Sequence, residues 1–168
     1  MAAQRQRGVV VLMCLMMLIL AMLLGVSAAQ MSLQGEKAAR GERDRDVAFQ
    51  AAEDALADAE RDIRSGTAEA SACDRAPVWQ RVDLSGAEDG GACTLGYGDH
   101  TGAAMLTAEG VLPFKRPRYV IERMECHQPG EDASAGGAAG YCYRVTAIGF
   151  GARPGTELVL QTVFVKPE

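Results

Sequence analysis

Val9 to Ala29 reads VVVLMCLMMLILAMLLGVSAA and carries no charged side chain. At 1.5 Å of rise per residue, about 20 helical residues cross the roughly 30 Å hydrocarbon core of a bilayer, so this stretch is long enough to span one. Arg5 and Arg7 stand just before it, and the first acidic residue is Glu36. Positive flanking charge is retained on the cytoplasmic side, which predicts a cytoplasmic N-terminus and an extracytoplasmic body. A cleaved secretory signal is the other reading, because Val26-Ser27-Ala28 before Ala29 has the small residues of a signal cleavage site. The junction Gln6-Arg7-Gly8, followed by Val9 and Val10, separates the two. A short basic leader ends there in glycine directly ahead of the apolar run, and cleavage after Gly8 leaves the helix on the mature chain.

Beyond Ala29 the chain turns polar but stays rich in helix formers. Phe49, Ala52, Leu56, Ala59 and Ile63 recur at spacings of three and four, which places them on one helical face. Arg61, Arg64 and Ser65-Gly66 suit a helix end, with Asp62 weakly opposed to the exposed carbonyls. The helix is expected from about Val9 to Arg64, weakest at Gly25, Gly35 and Gly41. Such a face needs a sheet to cover, and three stretches supply strands: Arg118 to Cys126, Tyr141 to Gly151 and Thr156 to Lys166, each rich in Val, Ile, Tyr, Phe or Thr. Arg153-Pro154-Gly155 reads as a hairpin turn and Pro129 to Gly140 as a Gly- and Ala-rich loop. Between Ala68 and Pro117, Trp79 and Val82 offer one short strand, while Gly86 to Gly102 has mostly turn composition. The fold class is α+β: a long N-terminal helix, transmembrane in its first half and amphipathic in its second, packed on a small antiparallel sheet.

A chain of 168 residues has room for one ordinary domain plus an anchor. Its net charge of -5 supplies no basic field for phosphates, so nucleic acid is not an expected partner. With 19 glycines and only 5% aromatics the core must be small, and cysteines can support it. Cys14 lies in the apolar run and reads as a small apolar residue. Cys73, Cys93, Cys126 and Cys142 allow three pairings, among which sequence alone does not choose. Cys73 with Cys93 and Cys126 with Cys142 is preferred because both bonds close local loops, each worth roughly 3 kcal/mol for about 15 residues on the loop-entropy account.

A zinc site built from Cys126, His127, Cys142 and His100 is the competing use of the same side chains. No Cys-x-x-Cys or His-x-x-His pair supports it, and an oxidising compartment favours disulfides, so no metal is expected. His100 and His127 are the two histidines, and no motif sets either beside a nucleophile. Gly96-Tyr97-Gly98 lacks the strand and helix context of a phosphate loop. Glu53, Asp54, Asp58 and Glu60 share a helix with arginines and read as a solvated face. Neither an enzyme activity nor a cofactor is implied.

The Gly8 junction resembles the leader of type IV prepilins, which the prepilin peptidase cuts after the glycine and then N-methylates. Further on, Arg43-Asp44-Arg45-Asp46-Val47-Ala48-Phe49-Gln50-Ala51-Ala52-Glu53-Asp54-Ala55-Leu56 looks very like the run that follows the membrane segment in PilX minor pilins. Glu36-Lys37, Arg118-Tyr119-Val120-Ile121-Glu122-Arg123 and Tyr143-Arg144-Val145-Thr146-Ala147 extend the likeness, which thins between Gly66 and Leu112. The resemblance implies a leader over 1–8, a transmembrane half of the helix over 9–29, an amphipathic half over 30–64 and a periplasmic sheet domain over 65–168. It departs from the common pilin pattern at the first mature residue, usually Phe and here Val9.

Pilins also commonly carry Glu as the fifth mature residue, whose carboxylate meets the N-terminal amine of a neighbouring subunit in the fibre. Met13 occupies that place. An amine buried among apolar helices needs an acidic partner, and Met13 cannot be one. A subunit with nothing docked on its distal side has no such amine to neutralise, and PilX resembles pseudopilin K of type II secretion in lacking this Glu. The expectation is therefore an inner-membrane, single-pass minor pilin at or near the pilus tip. Its implied partners are PilV- and PilW-type minor pilins, the major pilin, a large tip adhesin and the prepilin peptidase, and its implied role is priming of fibre extrusion for twitching motility and attachment. The rival expectation is a membrane-tethered or secreted periplasmic binding module with no fibre role.

Overall fold

The computed structural model describes residues 6–67, 77–87, 93–108, 110–126 and 140–165. The chain divides into two units, Met1–Glu42 and Arg43–Glu168. One helix, α1 (Gln6–Ser65), supplies residues to both and passes without interruption through Gly25, Gly35 and Gly41, where weak points were expected. In the first unit the apolar side chains from Val9 to Val26 are exposed all round the helix. A helix apolar on every side has no polar face to give to water and suits a lipid surround. Gly8–Ser65 is long and apolar enough, by length and composition, to cross a membrane.

The second unit is a four-stranded antiparallel sheet in the order β1 (Leu95–Gly96), β2 (Arg118–Cys126), β3 (Gly140–Phe150), β4 (Glu157–Phe164). Ile121 stands opposite Val145 and Tyr119 opposite Ala147, so odd-numbered residues of β2 and β3 share the face that meets Ala55, Ala59 and Ile63 of α1. A strand alternates its faces, so Val120, Ile148 and Phe150 point the other way. They are buried as well, Phe150 beneath residues 114 and 115. Phe114 meets the Phe150 ring edge-on at 5.5 Å and Lys115 lies 5.0 Å over the same ring. Both faces of the central strands are therefore dry, which explains their β-branched and aromatic composition.

The helical row that packs on the sheet keeps Ala52, Ala59 and Ile63 of the expected face, with Leu56 partly buried beside them, but not Phe49. Phe49 is 41% exposed, and the buried row is Ala48, Ala51, Ala52, Ala55, Asp58, Ala59, Asp62 and Ile63. Alanine wins this face because the backbones come close: a Cβ on Gly149 of β3 would stand 2.5 Å from the Ala52 amide nitrogen. A phenylalanine in that seam would hold helix and strand apart. Trp79 and Val82 do not form the short strand expected of them. Val78–Gln80 is a 3-10 turn, and the short strand is Leu95–Gly96, held to β2 where Arg118 donates to the Thr94 hydroxyl and carbonyl at 2.7 Å each. The Arg153-Pro154-Gly155 turn joins β3 to β4 with Gly155 at φ +99.

Candidate functional site

Two features remain on this frame: the exposed apolar helix of the first unit, and a cluster of carboxylates by which α1 holds the loops of the second. Gly8, Val9 and Met13 all lie in α1 and are exposed, Met13 at 65%. In the second unit Asp44, Asp58 and Asp62 each reach a different piece of chain. Asp44 accepts from the Arg153 backbone N–H at 3.1 Å and from the Thr156 hydroxyl, clamping the β3–β4 turn. Asp58 and Asp62 are both 0% exposed. The expectation that Asp58 belongs to a solvated acidic face is therefore wrong, whereas Glu60 does lie at the surface, paired with Arg64 at 2.5 Å.

Asp58 accepts the Gly98 backbone N–H at 2.7 Å through Oδ2, and the Thr101 hydroxyl through Oδ1, which Arg61 also approaches at 3.1 Å. The Gly96-Tyr97-Gly98 turn thus has its own internal anion, and its N–H groups are turned to protein rather than to a phosphate. Gly98 sits at φ +80, where a Cβ would strike the Ala103 carbonyl, so the turn can be made only by glycine. Asp62 is met by His100 Nδ1 at 2.8 Å, by the Tyr119 hydroxyl at 3.4 Å and by the Thr67 hydroxyl at 2.5 Å. It closes the C-terminal end of α1 instead of opposing it, since Ser65 Oγ also donates to its carbonyl at 2.9 Å. Burying carboxylates costs several kcal/mol unless each oxygen is engaged, and here each has at least one donor or ring nitrogen beside it.

Tyr119 lies at the bottom of this cluster. Burial pushes its phenol well above the ordinary value near 10, and the charges of Asp62 and Asp58 push it in the same direction. The folded chain therefore favours the protonated phenol. Its stabilisation is complete below the unfolded value near 10 and is lost as pH rises beyond it, because only the unfolded chain then releases the proton. Thermal unfolding from pH 8 to 11 should show a midpoint that falls above pH 10, and Tyr119→Phe should make that fall shallower.

The cysteines divide between the units. Cys14 is free and exposed on the apolar helix. Cys126 and Cys142 form a disulfide with Cα atoms 5.8 Å apart, a diagonal bridge since Cys142 stands opposite Met124 in the ladder. Cys93 is also disulfide-bonded. Cys73 and His127 lie outside the described residues. The zinc set weighed from sequence loses both thiolates to the bridge, and the ring of His100 is turned to Asp62.

An apolar N-terminal helix continuing into an alanine-rich face on a four-stranded antiparallel sheet defines an α+β protein of pilin-like arrangement, with a helix that fits a single-pass membrane anchor. Two family matches make the assignment specific: the family described as PilX N-terminal over residues 7–57, and the one described as type IV pilus assembly protein PilX C-term over residues 42–166. The chain belongs to the PilX family of type IV pilus proteins. It takes part in type IV pilus assembly with other pilus components, in a family of structural pilus proteins rather than enzymes. No curated protein and no solved structure matches it.

Proposed function

We propose that this chain is a minor pilin of the tip or priming complex that starts fibre extrusion. Its role is structural, with no catalytic step. The prepilin peptidase trims it after Gly8, the helix from Val9 anchors it in the inner membrane with the sheet unit in the periplasm, and PilV- and PilW-type subunits and a large tip adhesin dock around it. Met13 carries this reading. The apolar run holds no acidic residue before Glu36, so the chain offers no carboxylate at membrane depth to the amine of a subunit placed distal to it. A subunit so built can end a fibre or begin one but is poorly suited to its interior.

Mass spectrometry of the chain isolated from membranes should find an N-methylated Val9 as the first residue. An Ala29 start would replace this reading with a secreted module. Met13→Glu should lower the number of pili per cell, because it sets a carboxylate with no amine to meet inside the apolar run, where charge is costly. Unchanged piliation would take Met13 out of the mechanism.

A further inference from the structure

The sheet ends on β4, which among the described residues pairs only with β3. Every second residue of such a strand turns its N–H and C=O away from the sheet, leaving a row of unmet donors and acceptors. Natural edges are blunted by lysine, proline, bulges or shortness. Glu157–Phe164 is eight residues long, holds no lysine or proline, and carries its one charge at its first position. Its outer row is open, with Val159 at 49% and Val163 at 54% exposure on either side of Gln161, which donates to the Thr146 hydroxyl of β3 at 2.8 Å.

On the other face of β4 lies a groove of about 280 Å³ between the strand and α1, lined by Glu53, Leu56, Glu60, Thr162 and Phe164 among others. Glu60 is paired with Arg64, whose guanidinium stacks 5.4 Å over Phe164. Glu53 is exposed and has no ion pair among the described residues.

We infer that β4 is a docking edge for an extended segment of a different protein, which adds as a fifth strand with valine-like side chains beside Val159 and Val163 and a basic side chain turned toward Glu53. The chemistry on each side of the edge fixes this occupant. Main-chain pairing asks for an extended strand, and alternate side chains then fall into the groove and onto the outer face. A second copy of β4 answers poorly, because Glu157–Phe164 contains no cation to meet Glu53. It also falls short in area. An edge about 26 Å long on a sheet about 10 Å thick gives roughly 500 Å² over both partners, about half of the ~1,000 Å² of a specific interface. A foreign strand meets the same limit along the edge and adds to it the area of a long basic side chain laid into the groove toward Glu53, which β4 of a second copy lacks. The edge lies wholly within residues 43–168, so this inference does not depend on where the chain is trimmed or where it sits in a fibre.

The test uses the full chain in lipid nanodiscs and a labelled nine-residue peptide of alternating threonine and valine with lysine at its centre. Fluorescence anisotropy should show it binding at least ten-fold tighter than the same peptide with central glutamate. N-methylation of alternate amides should abolish binding in one of the two possible patterns and spare it in the other, since only one peptide edge faces β4. Hydrogen exchange of β4 amides should slow on binding, and Glu53→Lys, at an exposed helical position, should reverse the preference between the two peptides. Absence of binding, equal affinity for both peptides, or indifference to both methylation patterns would overturn the proposal. So would protection of β4 that grows with protein concentration alone, which would put a second copy on the edge.

Discussion

Asp58→Ala should destabilise the sheet unit by about 2 to 4 kcal/mol and release the 97–102 turn. The substitution removes the acceptor of the Gly98 N–H and of the Thr101 hydroxyl at once, and leaves Arg61 with the Tyr97 side chain but no carboxylate beside it. Truncating one side of a buried charged network strands the donors on the other, which is why such losses exceed the net worth of a hydrogen bond. Urea unfolding should show the midpoint falling, and limited proteolysis should cut first near Gly98. Asp54→Ala is the comparison: Asp54 lies four residues earlier in the same helix but is exposed, and its loss should stay within about 0.5 kcal/mol. A double-mutant cycle of Asp58→Ala with Thr101→Val should give a coupling well above zero, since the two side chains share one bond.

The same residue marks the limit of what the sequence discloses. Asp58 sits among Glu53, Asp54 and Glu60 on a helix that also bears arginines, and nothing local separates a buried carboxylate from its solvated neighbours. Its partners lie 40 and 43 residues further on, in a segment whose composition reads only as turns. The strands were legible for the opposite reason: β2, β3 and β4 are runs of β-branched and aromatic residues bounded by Gly and Pro, a signal complete within each run. The extent of α1 was legible too, with the end near Arg64 set by Ser65-Gly66. Its orientation on the sheet was legible only in part. The expected face of Phe49, Ala52, Leu56, Ala59 and Ile63 fails at Phe49 and leaves out Ala48, Ala51 and Ala55, because close approach to β3 selects alanines, and alanine carries too little hydrophobicity to announce a buried row. One signal was available, since Ala48, Ala51, Ala52, Ala55 and Ala59 hold the helical spacing by themselves.

Three carboxylates on one helix also account for how the sheet unit is held at both ends. Asp44 takes the β3–β4 turn, and Asp58 and Asp62 take the turn after β1 and the end of α1. Between them lies the alanine seam, which contributes little by area at roughly 25 cal/mol per Å² of apolar surface because each side chain is one methyl. Polar clamps at the ends and close backbone contact in the middle therefore share the work that larger side chains do in an ordinary helix-on-sheet packing.

Gly149→Ala should consequently be the most damaging single methyl that can be added to the seam between α1 and the sheet. A Cβ there would stand 2.5 Å from the Ala52 amide nitrogen and 2.9 Å from the Ala52 Cβ, and closer still to the Ala48 carbonyl oxygen. Two of these three atoms are backbone, so no rotamer change relieves them. Overpacking a core commonly costs about 1 to 3 kcal/mol and more where the clash is with main chain. Here α1 cannot lift without loosening the Asp44 clamp on one side or the Asp58 clamp on the other. A loss of about 3 kcal/mol or more is expected, read as a fall of roughly 10 °C in the thermal midpoint. Gly149→Val should leave no folded sheet unit. Adding Ala52→Gly to Gly149→Ala removes only the side-chain contact and should restore a small part of the loss, because the Ala48 carbonyl and the amide at position 52 remain in place. Full recovery in that double variant would mean that the seam is set by the methyl of Ala52 rather than by the approach of the two backbones.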